Sequence, residues 1–126
     1  MWIGVDLLRL GELDRLVLRP WFRAYVYDET ELAVADAFGP DRRREFLAGR
    51  FAGKEAVLKA IGSGAACGVR PCQVAIRRSA TGAPVVELAG AAAERAAALG
   101  VAEVRVSITH KGDLVLALAV GVSQSS

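Results

Sequence analysis

The stretch from Pro40 to Gly62 constrains this 126-residue chain more than any other. Proline suits the first turn of a helix and glycine its end. Between them Leu47, Phe51, Leu58 and Ile61 recur so that, at about 100° per residue, they fall in one narrow sector. The spacing predicts one long helix from about Pro40 to Ile61, stopped by Gly62 and carrying an apolar stripe. Glu55 lies on the shoulder of that stripe and Lys59 one turn further along the same edge, so the carboxylate is expected half in the core. Spacing alone also admits a plainer reading, an i,i+4 pair on a solvated face worth about 0.2–0.5 kcal/mol.

The length fits one domain with a modest core. A formal charge of +2 is too small to argue for nucleic acid, which calls for a concentrated basic face. Arg42-Arg43-Arg44 is the only basic triplet. Asp6 interrupts the first hydrophobic segment, so no secretory signal is expected and the cytoplasm is the expected compartment. The longest apolar run, Leu114 to Val122, is about half of what a membrane-spanning helix needs and reads as a buried strand. Cys67 and Cys72 stand in a Gly/Ala/Pro-bearing loop, far from the single histidine. That supports neither a zinc site nor a redox pair, and reduced loop thiols are expected.

Trp2 to Leu8 reads as a first strand with an acid inside it. A carboxylate there costs several kcal/mol unless compensated, so Asp6 needs a partner, either a cation or the donors of a neighbouring turn. Gly11 to Arg19 carries Leu13, Leu16 and Val17 at helical spacing and is expected to stop at Pro20. Trp21, Phe22, Tyr25 and Tyr27 form an aromatic cluster that suits either core or contact surface. Asp28 with Glu31 resembles a capping box opening a helix through Phe38. After the small-residue loop Gly62 to Gly68, strands are expected at Val74 to Ile76 and Val85 to Leu88, then a helix from Gly90 to Leu99 ended by Gly100. Val104, Val106 and Ile108 alternate with polar residues, Lys111-Gly112-Asp113 turns, and Leu114 to Val122 returns apolar on both faces, as a central strand or a subunit contact would. The whole is one α+β domain over residues 1–122, with 123–126 expected as a disordered tail.

Three motifs carry a family resemblance. The run Phe46-Leu47-Ala48-Gly49-Arg50-Phe51-Ala52-Gly53-Lys54-Glu55-Ala56-Val57-Leu58-Lys59-Ala60-Ile61-Gly62-Ser63-Gly64 resembles the signature of holo-acyl carrier protein synthases, the short class of 4′-phosphopantetheinyl transferases. Trp2-Ile3-Gly4-Val5-Asp6-Leu7 is similar to the family's first strand, and Val106-Ser107-Ile108-Thr109-His110 to its carboxy-terminal strand. They stand in family order and cover nearly the whole chain. The resemblance implies the transferase fold, a mainly antiparallel sheet packed on one long helix with shorter helices.

It also implies the chemistry. Asp6 and Glu55 correspond to the pair that holds Mg²⁺ together with the pyrophosphate of coenzyme A, a donor set that suits this ion. The implied reaction is attack by a carrier-protein serine on the β-phosphorus of coenzyme A, releasing 3′,5′-ADP and leaving a phosphopantetheine arm. Asp6, Glu55 and Lys59 are the implied catalytic residues, Lys59 donating to the pyrophosphate. The residues leave open whether Glu55 or a water on the metal accepts the serine proton. Arg42, Arg43, Arg50 and His110 are the implied nucleotide contacts, and Gly62, Ser63 and Gly64 form a loop whose amides can approach phosphate. Family members are trimers with sites between subunits, acting on acidic carriers of fatty-acid or polyketide synthesis. Arg15, Arg19 and Arg23 are the expected carrier contacts.

Two positions depart from the pattern: Glu12 stands where an arginine is expected, and Ala83 where a lysine is. Two other functions remain compatible with the residues. One is a degenerate coenzyme A-binding oligomer with a regulatory role, and the other is a Mg²⁺-dependent phosphate-ester or pyrophosphate hydrolase that needs no carrier.

Overall fold

The computed structural model describes residues 1–62 and 68–124. The long helix forms as its sequence predicts: α3 spans Pro40–Ala60, Ile61 caps it, and Gly62 follows at φ +62°. Arg95 reinforces that end by donating from Nε to the Ile61 carbonyl at 3.0 Å.

The other elements follow in chain order. β1 (Trp2–Arg9) leads into short 3-10 turns at Leu10–Leu13 and Leu16–Leu18, then α1 (Pro20–Val26) and α2 (Glu29–Asp36). After α3 come β2 (Val74–Arg78), β3 (Pro84–Leu88), α4 (Gly90–Leu99), β4 (Val101–Lys111) and β5 (Leu114–Ser123). β1, β5 and β4 form an antiparallel sheet in that order, and β2 and β3 a separate hairpin. β5 is thus the central strand, one of the two roles its double apolar character suggested. Its Val115, Ala117 and Ala119 are buried, whereas Leu114, Leu116 and Leu118 are exposed on the opposite face.

α3 sits on the sheet through small residues. A Cβ on Gly4 would stand 1.9 Å from the Ala56 carbonyl oxygen and 2.6 Å from the Ala60 nitrogen, so only glycine permits β1 to lie this close. On another side of the helix, a Cβ on Gly53 would meet Ile76 Cδ1 at 2.6 Å and Ile108 Cδ1 at 3.0 Å. The second half of α3 is therefore enclosed nearly all round, far beyond the single stripe its apolar spacing implied. Lys54 is completely buried as a result, and Arg50 nearly so.

Three expectations need correction. Gly11 to Arg19 is not a helix but two 3-10 turns. Only Leu13 there enters the core, too little burial to hold so short a helix, and the Glu12 carboxylate pins the segment to β1 by accepting from Arg9 N at 3.1 Å. Pro20 opens α1 at its first position rather than merely ending what precedes it. Ser123, assigned to the tail, is the last residue of β5; Ser125 and Ser126 lie outside the described residues. The aromatic cluster divides, Phe22 and Tyr27 in the core and Trp21 and Tyr25 exposed. No helix among the described residues is long and apolar enough to cross a membrane.

Candidate active site

Strand alternation turns Gly4, Asp6 and Leu8 toward α3 and leaves Ile3, Val5 and Leu7 outward. Because Gly4 brings the backbones together, Asp6 arrives beside the last turns of the helix. Its side chain keeps 15% of its exposure, so it is less deeply placed than a strand interior suggested. Lys59 Nζ donates to Asp6 Oδ1 at 2.9 Å and to the Val5 carbonyl at 3.1 Å. The lysine therefore bridges helix to strand, and its ion pair is with Asp6 rather than with Glu55 one turn earlier.

Glu55 is half-buried on the same edge. Burial pushes its carboxyl above the ordinary range, the Asp6 charge pushes the same way, and Lys59 opposes both. A half-buried carboxylate raised by a second one beside it is suited to share a cation with it. Among the described residues no cluster of three or more histidine, cysteine or acidic side chains forms, so the oxygen donors offered by the chain here are those of Asp6 and Glu55. Hard divalent cations accept one or two carboxylates when a phosphate ligand and waters complete the shell, and the pair fits that demand.

A second feature is a groove of about 1050 Å³ between α2, α3, the β2–β3 hairpin and the end of β4. It brings together Arg42, Arg50 and His110 from the expected nucleotide set. Arg50 is 8% exposed, its Cζ lies 4.5 Å over the Phe46 ring, and its buried Nε has no hydrogen-bond partner. Burial lowers its pKa, Glu31 opposes that, and Arg78 adds to it. Arg42 Cζ lies 4.6 Å over Phe38, which meets Phe46 edge-on at 5.6 Å between centroids. Arg43 has other work: its Nε and Nη2 donate to the carbonyls of Ala35 (3.2 Å) and Phe38 (2.9 Å), fastening the end of α2. It does not line the groove. Neither do Asp6, Glu55 and Lys59, and Arg42 and Glu55 are about 20 Å apart along α3. Ser63 and Gly64 lie outside the described residues; Gly62 is left-handed and exposed.

Of the expected carrier contacts, Arg15 and Arg19 are exposed and make no ion pair among the described residues. Leu18, Trp21 and Tyr25, in the same stretch of chain, are exposed as well. Arg23 instead holds Asp36 through two contacts of 2.9 Å.

Sequence reasoning missed the buried pair beneath the groove. Lys54 Nζ lies 2.7 Å from Glu31 Oε1 and donates to the Val74 carbonyl at 2.6 Å and the Pro71 carbonyl at 3.3 Å. Glu31 also accepts from Ile76 N at 2.9 Å and Asp28 N at 3.0 Å. A signal was present: Lys54 is seven residues from both Leu47 and Ile61, within about 20° of the apolar stripe.

The family model of the 4′-phosphopantetheinyl transferase superfamily matches residues 3–119. The holo-[acyl-carrier-protein] synthase of Nitratidesulfovibrio vulgaris is 44% identical over 94% of either chain. Among solved structures, the holo-[acyl-carrier-protein] synthase of Neisseria meningitidis superposes with a TM-score of 0.85 at 29% identity, over 97% of this chain and 98% of that one. The Bacillus anthracis holo-(acyl-carrier-protein) synthase, solved in complex with CoA (3′,5′-ADP), gives 0.80 at 28% identity, over 98% and 96%. A conserved-length match of this kind, on a fold that sets two carboxylates and a lysine at one crossing, identifies an enzyme: the chain belongs to the 4′-phosphopantetheinyl transferase superfamily, among the holo-[acyl-carrier-protein] synthases.

Proposed function

We propose that this protein transfers the 4′-phosphopantetheine arm of coenzyme A to a serine of an apo acyl carrier protein, releasing 3′,5′-ADP. The observation that carries the reading is the cluster at the β1–α3 crossing, where Lys59 Nζ stands 2.9 Å from Asp6 Oδ1 beside a half-buried Glu55. Phosphoryl transfer asks a protein mainly for positioning and charge neutralisation. Asp6 and Glu55 would hold Mg²⁺, which when bound neutralises charge on the pyrophosphate. Lys59 donates to the same pyrophosphate. The serine oxygen forms its bond to the β-phosphorus as the bond to the 3′,5′-ADP oxygen breaks, and the serine proton passes to a base at this cluster, a role that suits Glu55, whose carboxyl burial pushes above the ordinary range.

The groove with Arg42, Arg50 and His110 would take the nucleotide of coenzyme A, with Gly62, Ser63 and Gly64 approaching its phosphates. Because that groove and the carboxylate cluster do not share lining residues within one chain, the complete site is assigned to two neighbouring copies of a trimer. The exposed apolar face of Ile3, Val5, Leu7, Leu116 and Leu118 supports such an assembly. Arg15 and Arg19, beside Leu18 and Trp21, would meet the acidic carrier; Arg23 and Arg43 serve the fold first. Carriers of fatty-acid or polyketide synthesis are the proposed partners, in the cytoplasm.

The test is release of 3′,5′-ADP followed by chromatography. Release is expected only when coenzyme A, Mg²⁺ and an apo carrier are all present. Release without a carrier would replace the transferase with a hydrolase.

A further inference from the structure

We propose that Arg95 is a positioning residue for the transfer: from α4 it fixes the last turn of α3 and, through that turn, the place of Lys59 beside Asp6. This role rests on the reading of Lys59 as the pyrophosphate donor. Arg95 belongs to none of the three motifs.

A helix leaves its last carbonyls without donors of its own. At the end of α3 two of them find local ones: Ile61 N donates to the Val57 carbonyl at 3.1 Å and Gly62 N to the Lys59 carbonyl at 3.2 Å. The carbonyls of Ile61 and Gly62 come next, and both accept from Arg95, from its Nε at 3.0 Å and from its Nη2 at 3.5 Å. Ile61 is fully buried, so water has little access to its carbonyl and a missing donor there is costly. The guanidinium lies against Gly62, where an added Cβ would stand 3.5 Å from Nη2. Its charge also complements the negative end of the helix dipole.

The turn that Arg95 fastens is the one that contains Lys59. Lys59 is the last residue but one of α3. Its carbonyl receives the Gly62 amide, and its Nζ reaches back to Asp6 Oδ1 at 2.9 Å and the Val5 carbonyl at 3.1 Å. The Lys59 side chain is 55% exposed, so packing does little to hold it and the backbone beneath it decides where the ammonium stands. Helix ends fray. Fraying from Lys59 to Gly62 would carry that ammonium away from the pyrophosphate, and a small misplacement of a charge stabiliser is expensive in rate.

The placement of α4 suits this work. It packs on β4 and on the turn at Pro71–Gln73, and the residues it buries are the small Ala92 and Ala96. The long Arg95 side chain reaches from there to the end of α3, and its donors go to the two carbonyls rather than to an acid. Arg43 does comparable work for α2, donating to the Ala35 and Phe38 carbonyls, but the end it fastens carries none of the residues at the β1–α3 crossing. Arg95 stands at the end that carries Lys59.

The experiment compares the wild type, Arg95→Met and Arg95→Lys, as full chains, by amide hydrogen exchange and by turnover with coenzyme A, Mg²⁺ and an apo carrier. Arg95→Met is expected to speed exchange of the Ile61 and Gly62 amides by about tenfold or more while the amides of β5 keep their rates. It is expected to lower kcat by about tenfold with KM for coenzyme A within about twofold. Arg95→Lys, which can still reach a carbonyl, is expected to recover part of both. In a Lys59→Ala background Arg95→Met is expected to cost less than about twofold more, because its effect passes through Lys59. Equal losses in the two backgrounds, an unchanged kcat, unchanged exchange at Ile61 and Gly62, or faster exchange throughout β5 in both variants would overturn the role of Arg95 and leave the proposed reaction standing. A wild type that transfers nothing to any carrier would overturn the reaction and this role with it.

Discussion

Lys54 and Glu31 are 0% and 1% exposed, and each also holds backbone: Glu31 accepts from Asp28 N and Ile76 N, and Lys54 donates to the Pro71 and Val74 carbonyls. Removing one partner strands a buried charge. Lys54→Met is therefore expected to destabilise the fold by about 3–5 kcal/mol, read from chemical denaturation. The double variant Lys54→Met/Glu31→Gln is expected to lose less than the sum of the single losses. Lys59 is half-exposed and carries no such burden. Lys59→Ala is expected to lower turnover by about 3 kcal/mol in activation free energy, as loss of a preorganised donor does, while melting close to the wild type. Glu55 gives a pH prediction. Its proton is held to higher pH in the folded chain than its ordinary value of 4.5, so from that value upward the folded state binds more protons than the unfolded one. Its contribution to stability falls as pH rises through this window and is unfavourable above it. Without divalent cation, Glu55→Gln is expected to flatten that decline and raise stability at neutral pH, whereas added Mg²⁺ is expected to raise the melting temperature of the wild type and not of the variant. At this scale the two acids and the lysine that meet at the β1–α3 crossing were singled out by the motifs. Lys54 was missed although its spacing set it beside the apolar stripe, because a lysine next to a glutamate reads as solvated until the second layer that encloses it is known.

The contact between β1 and α3 decides where the site stands. Gly4→Ala would force its Cβ against backbone atoms of Ala56 and Ala60, which cannot rotate away. The expected loss is about 1–3 kcal/mol, with a larger loss of activity than of stability because Asp6 rides on the same strand. Gly53→Ala meets only the tips of Ile76 and Ile108 and is expected to be milder; thermal melts and turnover of the two variants make the comparison. The elements with strong local signals were readable in advance. α3 had its proline, stripe and glycine; α2 its capping box, realised as Glu31 N to Asp28 Oδ1 at 2.8 Å and Asp28 N to Glu31 Oε1 at 3.0 Å; the β4–β5 hairpin its Gly112 at φ +61°. The segment between β1 and α1 was misread. Leu13, Leu16 and Val17 keep helical spacing, but Leu16 stays exposed and Val17 is only partly buried, and spacing without burial does not make a helix. Glu12, an apparent loss of a carrier-binding arginine, has a local use in pinning Arg9 N.

At the scale of the molecule the proposed trimer rests on the exposed apolar sheet face and on the separation of groove from carboxylates. Val5→Lys with Leu118→Lys places two charges on adjacent strands of that face, since the two residues are register partners. Both positions are exposed, so folding is expected to survive while the protein shifts from trimer to monomer by light scattering and loses turnover. Mixing Glu55→Ala with Arg50→Ala, each inactive alone, is expected to restore activity through hybrid sites. Periodicity alone did not separate the roles, because a both-faces-apolar strand fits a sheet centre and a subunit contact equally; β5 is the sheet centre, with Leu114, Leu116 and Leu118 exposed on its other face. The most direct test is intact-protein mass spectrometry of a panel of apo carrier proteins incubated with this protein, coenzyme A and Mg²⁺, beside the Asp6→Ala/Glu55→Ala variant. A gain of one phosphopantetheine arm on at least one carrier, absent with the variant, is the predicted result. No gain on any carrier, in a preparation that binds coenzyme A tightly, would contradict the account and favour a coenzyme A-binding regulatory oligomer.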